Sequence, residues 1–175
     1  MPLKTIDIAQ LKVQPHLLFN SQWALLAAGD FAAGHVNAMT IGWGALGTMW
    51  SKPFAFVAVR HSRYTFEFME RYNTFTLNFF PSQHHQALSY LGTHSGREGD
   101  KIAASGLTPQ AARAVSAPSF AEAEIVLECE KIYANDLDPE RFLSPEIQKH
   151  YPHQDYHRIY YGKIVQTAAV EAYIA

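Results

Sequence analysis

The sequence predicts a mainly β protein, a barrel of antiparallel-type strands with short helices inserted between them. Three observations carry this. Short runs rich in β-branched and aromatic residues recur, as in FAFVAVR (54–60) and FTLNFF (75–80). Other runs alternate apolar and polar residues, the pattern of a half-buried strand, as in AEIVLECEKIYA (123–134). The helical patterns are short and do not alternate with strands as a parallel sheet would require.

The elements follow in order. SQWALLAAG (21–29) reads as a strand, DFAAGH as a turn and VNAMTIGW (36–43) as the returning strand. Pro53 precedes the strand at 54–60, and YTFEFMERY places Phe66 and Met69 on one side of a helix over about 64–72. After the strand at 75–80, Ser82 is a candidate N-cap for QHHQALSYL and Gly92 its stop. DKIAASG (100–106) gives another helical turn or two, again ended by glycine. SPEIQKH (144–150) carries serine at N-cap and proline at N1, a helix-start signature. HRIYYGKIVQTAAV (157–170) predicts a long strand with a bulge at Gly162.

A chain of 175 residues fits one domain, residues 1–175, with a core of ordinary size. The formal net charge of -2 argues against nucleic acid and offers nothing to an anionic membrane surface. No apolar run reaches the roughly 18 residues of a transmembrane span, and MPLKTIDIAQLK lacks a signal-peptide core. With Cys129 as the one cysteine there is no disulfide framework, and a cytoplasmic location is expected.

Residues 42–47, GWGALG, match G-x-G-x-x-G after a predicted strand. A dinucleotide fingerprint needs a helix to open at these glycines, facing the pyrophosphate. Pro53 and the β-rich run behind it leave no room for one. The glycines are better explained by close approach of a ligand or strand to the backbone.

The window VRHSRYTFEFMER (59–71) has more chemistry in it. A strand ends near Arg60 and a helix begins near Tyr64 or Thr65. Unpaired N–H groups at a helix start favour an anion, and Arg60, Arg63, Ser62 and Thr65 add donors there. Phosphate, with three oxygens to satisfy, fits better than a carboxylate; a helix cap with two solvated arginines is the plainer alternative. LGTHSGREGDK (91–101) adds Thr93, Ser95, Gly96, Arg97 and Lys101 just after a helix stop, and NAMT (37–40) puts polar residues on a strand. Three such windows point to one extended ligand with a phosphate tail.

Together, NAMTIGWG, FAFVAVR leading into RYTFEFMER, FTLNFF, THSGREGDKIAASGLTP and EIVLECEKIY resemble the flavoredoxin and flavin reductase-like family. The resemblance covers about residues 20 to 165 and implies an FMN-binding split β-barrel. It also implies a homodimer with FMN near the subunit interface, reduced in many members by NADH or NADPH. Carried over by motif, Arg60, Ser62, Arg63, Tyr64 and Thr65 hold the phosphate and ribityl chain. Asn37, Met39, Thr40, Gly42 and Trp43 line the isoalloxazine, largely through backbone atoms. Asn78 and Phe79 are further candidates, and Ser95, Gly96, Arg97 and Lys101 approach from the loop. Many relatives continue past the last strand with a tail bearing an arginine and a tyrosine pair, whereas this sequence ends at VEAYIA. The resemblance therefore speaks more for flavin binding than for a nicotinamide pocket.

Hydride transfer is the flavin's own chemistry, so no Ser-His-Asp set or carboxylate pair is needed, and no catalytic residue is assigned. His94 is a candidate nicotinamide contact on a surface loop. His153, Asp155 and His157 would share one face if their segment were a strand, with His150 nearby, but the flanks read as a loop and no metal site is assigned. Cys129 reads as a core residue. Three functions fit: an FMN-dependent NAD(P)H oxidoreductase acting on flavin or a small-molecule electron acceptor, an electron-transfer flavoprotein reduced by a redox partner protein, and a non-catalytic flavin-binding protein.

Overall fold

A computed structural model describes residues 2–175. Ten strands form: β1 (Lys4–Ile6), β2 (Ala24–Asp30), β3 (His35–Ile41), β4 (Gly44–Met49), β5 (Lys52–Arg60), β6 (Thr74–Phe79), β7 (Pro109–Ala111), β8 (Pro118–Phe120), β9 (Ile125–Asp136) and β10 (His157–Ala169). Eight belong to one sheet with the path β3-β2-β6-β9-β10-β5-β4, to which β1 adds along β10; β7 and β8 make a separate hairpin. Every pairing is antiparallel, as the sequence predicts. Four helices decorate it: α1 (Pro15–Leu17), α2 (Tyr64–Arg71), α3 (His85–Thr93) and α4 (Lys101–Ser105).

Side-chain alternation explains the two layers. Ala24, Leu26 and Ala28 of β2, Ala55, Val57 and Val59 of β5, Phe75, Leu77 and Phe79 of β6, and Ile125, Leu127 and Cys129 of β9 all enter one core. Residues of opposite parity, among them Leu25, Ala27 and Val126, join a second cluster with Leu88 and Leu91 of α3, Ile102 of α4 and Phe120 of β8. One face of the sheet thus wraps the barrel interior, and the other is sealed by the helices and the small hairpin.

Several boundaries differ from expectation. The strand predicted from residue 21 begins at Ala24, because Leu18–Gln22 form a π-helical turn that buries Leu18 and Phe19. Two glycines of the 42–47 window lie in a strand not read from the sequence, β4, and at Gly44 the expected close approach is present: a Cβ there would sit 2.8 Å from the Phe56 carbonyl oxygen of β5. A two-residue turn links β4 to β5, with Trp50 and Ser51 both at positive φ (51° and 55°). This is the place where a dinucleotide fingerprint would open a helix. Ser82 donates no cap: it starts a 3-10 turn whose N-cap position is Pro81, and Gly92 lies inside α3, which runs on to Thr93. Residues 145–150 form a 3-10 rather than an α-helix, and Ser144 makes no side-chain cap bond. Gly106, in contrast, ends α4 in the left-handed conformation, at φ 75°.

The bulge at Gly162 is present: the β9–β10 register shifts between Tyr161 and Gly162. A Cβ at Gly162 would lie 2.5 Å from the Phe75 ring and 2.8 Å from the Cys129 Cβ. The bulge lets β10 close on the core at the one point where there is no room for a side chain.

Helix α2 buries Thr65, Phe68 and Met69, spaced as one helical face demands. Its outer end is tied down by charge. Glu70 accepts from the Tyr160 hydroxyl (2.5 Å) and from Arg158 (2.9 Å), while Arg158 makes two further bonds of 2.8 Å to Asp136. The Arg158 guanidinium holds the Asp136 carboxyl down to about 2. The element that begins at Tyr64 is therefore fixed to β9 and β10 at its far end.

Among the described residues, no helix is long and apolar enough to cross a membrane. No group of three or more metal-ligating side chains occurs among them either.

Candidate functional site

The start of α2, the middle of β3 and the segment from the end of α3 into α4 meet at two adjoining cavities. One, of about 380 Å³, is lined by Ser62, Arg63, Tyr64, Thr65, Thr93, His94, Ser95, Arg97, Glu98 and Lys101. The other, of about 410 Å³, shares Tyr64 and Lys101 and adds His35, Asn37, Phe68, Gly96, Asp100 and Ile102.

Each polar side chain is positioned by a bond that the local sequence makes available. Asn37 points inward from β3 and donates to the Thr65 hydroxyl at 2.8 Å, joining the strand to the first turn of α2. Thr40, three positions further, donates to the Leu88 carbonyl (2.5 Å) and ties β3 to α3. Arg63 donates to the Gly92 carbonyl (2.5 Å), and the Lys101 ammonium donates to the carbonyls of Leu91 (2.9 Å) and His94 (3.0 Å). Both cations thus rest on the carbonyl-rich end of α3, where a helix dipole favours them.

Lys101 is only 5% exposed, and neither Arg63 nor Lys101 is in an ion pair among the described residues. Burial, with Arg63 beside it, pulls the Lys101 ammonium down to about 8. Burial and Arg60 also lower the Arg63 guanidinium, with Asp155 acting in the opposite sense.

Arg97 differs. It pairs with Glu67 (2.5 Å), reaches the Ser62 carbonyl (3.2 Å) and lies over the Tyr64 ring at 4.9 Å, folding the 94–100 loop onto α2. Gly96 lets that loop approach, since a Cβ there would sit 2.5 Å from the Asn37 Oδ1 and 2.9 Å from the Tyr64 ring. Asp100 then caps α4 by accepting from the Ala103 N–H (3.0 Å).

Nine sequence-predicted residues therefore meet at these cavities: Asn37, Ser62, Arg63, Tyr64, Thr65, Ser95, Gly96, Arg97 and Lys101. Others do not. Asn78 and Phe79 have no exposed surface; Phe79 is in the barrel core, and Asn78 bonds Leu25 and Thr76 beneath the outer layer. Met39 is packed into the barrel core, and Gly42 stands against Phe19 and Trp23. Arg60 turns away to the carbonyls of His150 (2.9 Å) and Asp155 (3.0 Å) and stacks over Tyr151. Trp43, 44% exposed, packs with His150, Tyr151 and His157 on that side. β3 and β4 end the sheet path, so each keeps one backbone edge that no strand among the described residues pairs.

The segment carrying His153 and Asp155 is a loop, as its flanks suggest, and β10 begins only at His157. Asp155 instead bonds Ser62, while His157 accepts from or donates to the Tyr151 hydroxyl (2.8 Å), and burial lowers its pKa to about 4. His94 stacks on Tyr90, with ring centroids 3.9 Å apart. His35, Phe68, Asp100 and Asp155 were not read from the sequence as parts of this region. Asp100 carried a usable signal as the residue before a helical pattern; Asp155, 93 positions from Ser62, carried none.

An antiparallel barrel with helices over one face and a cationic cleft at a strand-to-helix turn defines the class. The chain matches the flavin reductase like domain over residues 17–173, and it belongs to that family. Membership places its function among the flavin-related ones. The fold is similar to an FMN-binding domain of a flavin reductases-like enzyme from Shewanella baltica (18% identity, TM-score 0.69, 96% of this chain and 77% of that one). It is also similar to flavoredoxin of Desulfovibrio vulgaris (21%, 0.67, 97% and 77%) and flavoredoxin from Methanosarcina acetivorans (23%, 0.67, 98% and 78%). Comparison with curated proteins gives no match.

Proposed function

We propose that residues 1–175 form one FMN-binding domain that acts as a homodimeric, cytoplasmic NAD(P)H-dependent oxidoreductase on flavin or a small acceptor. The observation that carries FMN is a pair of cations, Arg63 and Lys101, that enter no ion pair among the described residues. Arg97 is paired with Glu67, and Arg60 is occupied by carbonyls beside Asp155, which leaves Arg63 and Lys101 as the cleft's cations bonded only to backbone carbonyls. A phosphate monoester carries about -1.5 to -2 near neutral pH, so its charge matches theirs. A buried cation such as Lys101 is costly without an anionic partner.

In this reading Arg63 and Lys101 hold the phosphate, with the Ser62 and Thr65 hydroxyls and the first N–H groups of α2 as supporting donors. Tyr64, Ser95, Gly96 and Arg97 border the ribityl chain, and Asn37, through Thr65, keeps β3 in register with the phosphate end. The backbone from Met39 and Thr40 through Gly42, Trp43 and Gly44 offers the ring an open sheet edge. Arg60, Asn78 and Phe79 are left out of the set because their side chains are committed elsewhere. The bound flavin would accept a hydride from NADH or NADPH; the protein's part is to orient it and exclude water.

Exposed apolar residues support a second copy as the partner. Trp50 (58% exposed), Met49, Ile132 and Tyr133 stand around the β4–β5 turn, with Trp50 and Tyr133 6.0 Å apart. Similarity to two flavoredoxins favours, as a second reading, an electron carrier reduced by a protein.

The test is spectroscopic. The purified protein is reconstituted with FMN, and NADH or NADPH is added without oxygen. Bleaching of the flavin band within seconds supports the reductase. A yellow protein that only dithionite bleaches supports the carrier, and failure to take up FMN at all ends both readings.

A further inference from the structure

The segment between β9 and β10 reaches back to the phosphate end of the cleft and places a carboxylate there. Asp155 accepts from the Ser62 hydroxyl at 2.5 Å and from the Ser62 N–H at 3.3 Å. Ser62 lines the same cavity as Arg63, Thr65 and Lys101. The backbone turn that would present its donors to an anion is thus already holding one that belongs to the chain.

This carboxylate is held in place. Arg60 fastens the segment through the carbonyls of His150 and Asp155 and lies over the Tyr151 ring at 5.1 Å. Tyr151 is 2% exposed, packed against Trp43, Phe142 and Tyr156 and bonded to His157. A docked segment of this kind makes Asp155 a fixed charge rather than a passing contact.

We propose that Asp155 is a specificity-determining residue, a built-in counter-anion that weakens the hold on a dianionic phosphate and keeps the flavin exchangeable. The inference rests on the FMN reading above. Asp155 takes two donors that a phosphate would use, and it adds a negative charge within the field of Arg63. A phosphate in the cleft is then read by Arg63, Lys101 and Thr65 against the repulsion of Asp155. The consequence is a flavin that enters and leaves as a substrate does.

The experiment measures the affinities of FMN and riboflavin for the wild type, Asp155→Asn and Arg63→Ala by fluorescence quenching. Asparagine keeps a hydrogen-bonding group next to Ser62 and removes only the charge; Asp155→Ser serves as a second variant. The expected result is FMN affinity raised at least fivefold in Asp155→Asn or Asp155→Ser, a slower release of FMN, and riboflavin affinity unchanged. Unchanged or weaker FMN binding in both variants, with Arg63→Ala still losing FMN selectively, overturns the role of Asp155 and leaves the FMN reading standing. Equal response of FMN and riboflavin to every substitution overturns the phosphate reading itself and this inference with it. Loss of the fold in both Asp155 variants also overturns it, since Asp155 would then serve to hold the chain together.

Discussion

The Arg63 guanidinium and the Gly92 carbonyl are joined at 2.5 Å, so the turn into α2 is pinned to the last turn of α3. Lys101 grips the same helix end through Leu91 and His94. The two cations are held by backbone alone, which fixes their positions and leaves their charge available to a ligand.

Replacing Arg63 by alanine removes one charge-assisted contact, worth about 1.5–3 kcal/mol. FMN affinity is expected to fall on the order of ten- to a hundredfold, with riboflavin nearly unaffected. Titrating both flavins against both proteins gives a double-mutant cycle, and an equal loss for riboflavin would sink the phosphate assignment. The apo-protein should lose about 1 kcal/mol at most, from the freed Gly92 carbonyl.

Lys101 gives the site a pH dependence. Its pKa is lowered to about 8, so the ammonium loses its proton as pH rises through that value. FMN binding should weaken between pH 7 and 9, while riboflavin binding stays level. Folding should respond in the opposite direction. Above about pH 8 the unfolded chain binds the proton more tightly than the folded one, so this residue's contribution to stability rises with pH up to its ordinary value. Lys101→Met should flatten both trends, and an FMN affinity constant across this range would refute the role.

His157 sets the acid side. Burial, then Arg60, depresses its pKa from 6.5 to about 4. Between those values the unfolded state binds the proton that the folded state excludes, so stability falls as pH drops from about 6.5 to about 4. The slope contributed approaches about 1.4 kcal/mol per pH unit. Urea midpoints of wild type and His157→Gln across this window test it: the substitution should reduce the slope, and an unchanged slope would contradict the assignment.

Gly162→Ala should be the most damaging small change in the sheet. The new methyl would meet the fully buried Phe75 ring and the Cys129 Cβ, neither of which has space to yield. Overpacking of this kind costs about 1–3 kcal/mol, read as a lower denaturation midpoint.

Much of this architecture was legible in the chain because alternation is a local signal. FAFVAVR, FTLNFF and HRIYYGKIVQTAAV each became a strand, and the glycine in the last became a bulge. β4 escaped because GALGTM has little β-branched content; its pairing with β5 and the Trp50–Ser51 turn, which lacks the usual Gly or Asn, are what make it a strand. At the cleft, motif order located Arg63, Thr65, Gly96 and Lys101, which sit at element boundaries that the sequence marks. Arg60 was indistinguishable from Arg63 in the sequence, since both are arginines beside a predicted helix start. What separates them is the 150–155 segment, a partner nearly a hundred residues away. Asn78 alternates like a site-facing polar residue, but it is fully buried on the face of β6 where Thr76 donates to the Pro118 carbonyl of β8.

The sheet path also sets the order in which the chain can complete itself. β5 has one early neighbour, β4, formed by a local hairpin, while its other edge pairs with β10, where Val57 meets Tyr160 more than a hundred residues later. During synthesis the apolar strand FAFVAVR must wait, half-paired, until residues 157–163 have left the ribosome. Such distant closures slow folding, and an open apolar edge invites pairing with another nascent chain. The strand that ends at the turn into α2 is thus among the last to be sealed, and ribosome-bound chains stopped before residue 157 should be those most dependent on chaperones.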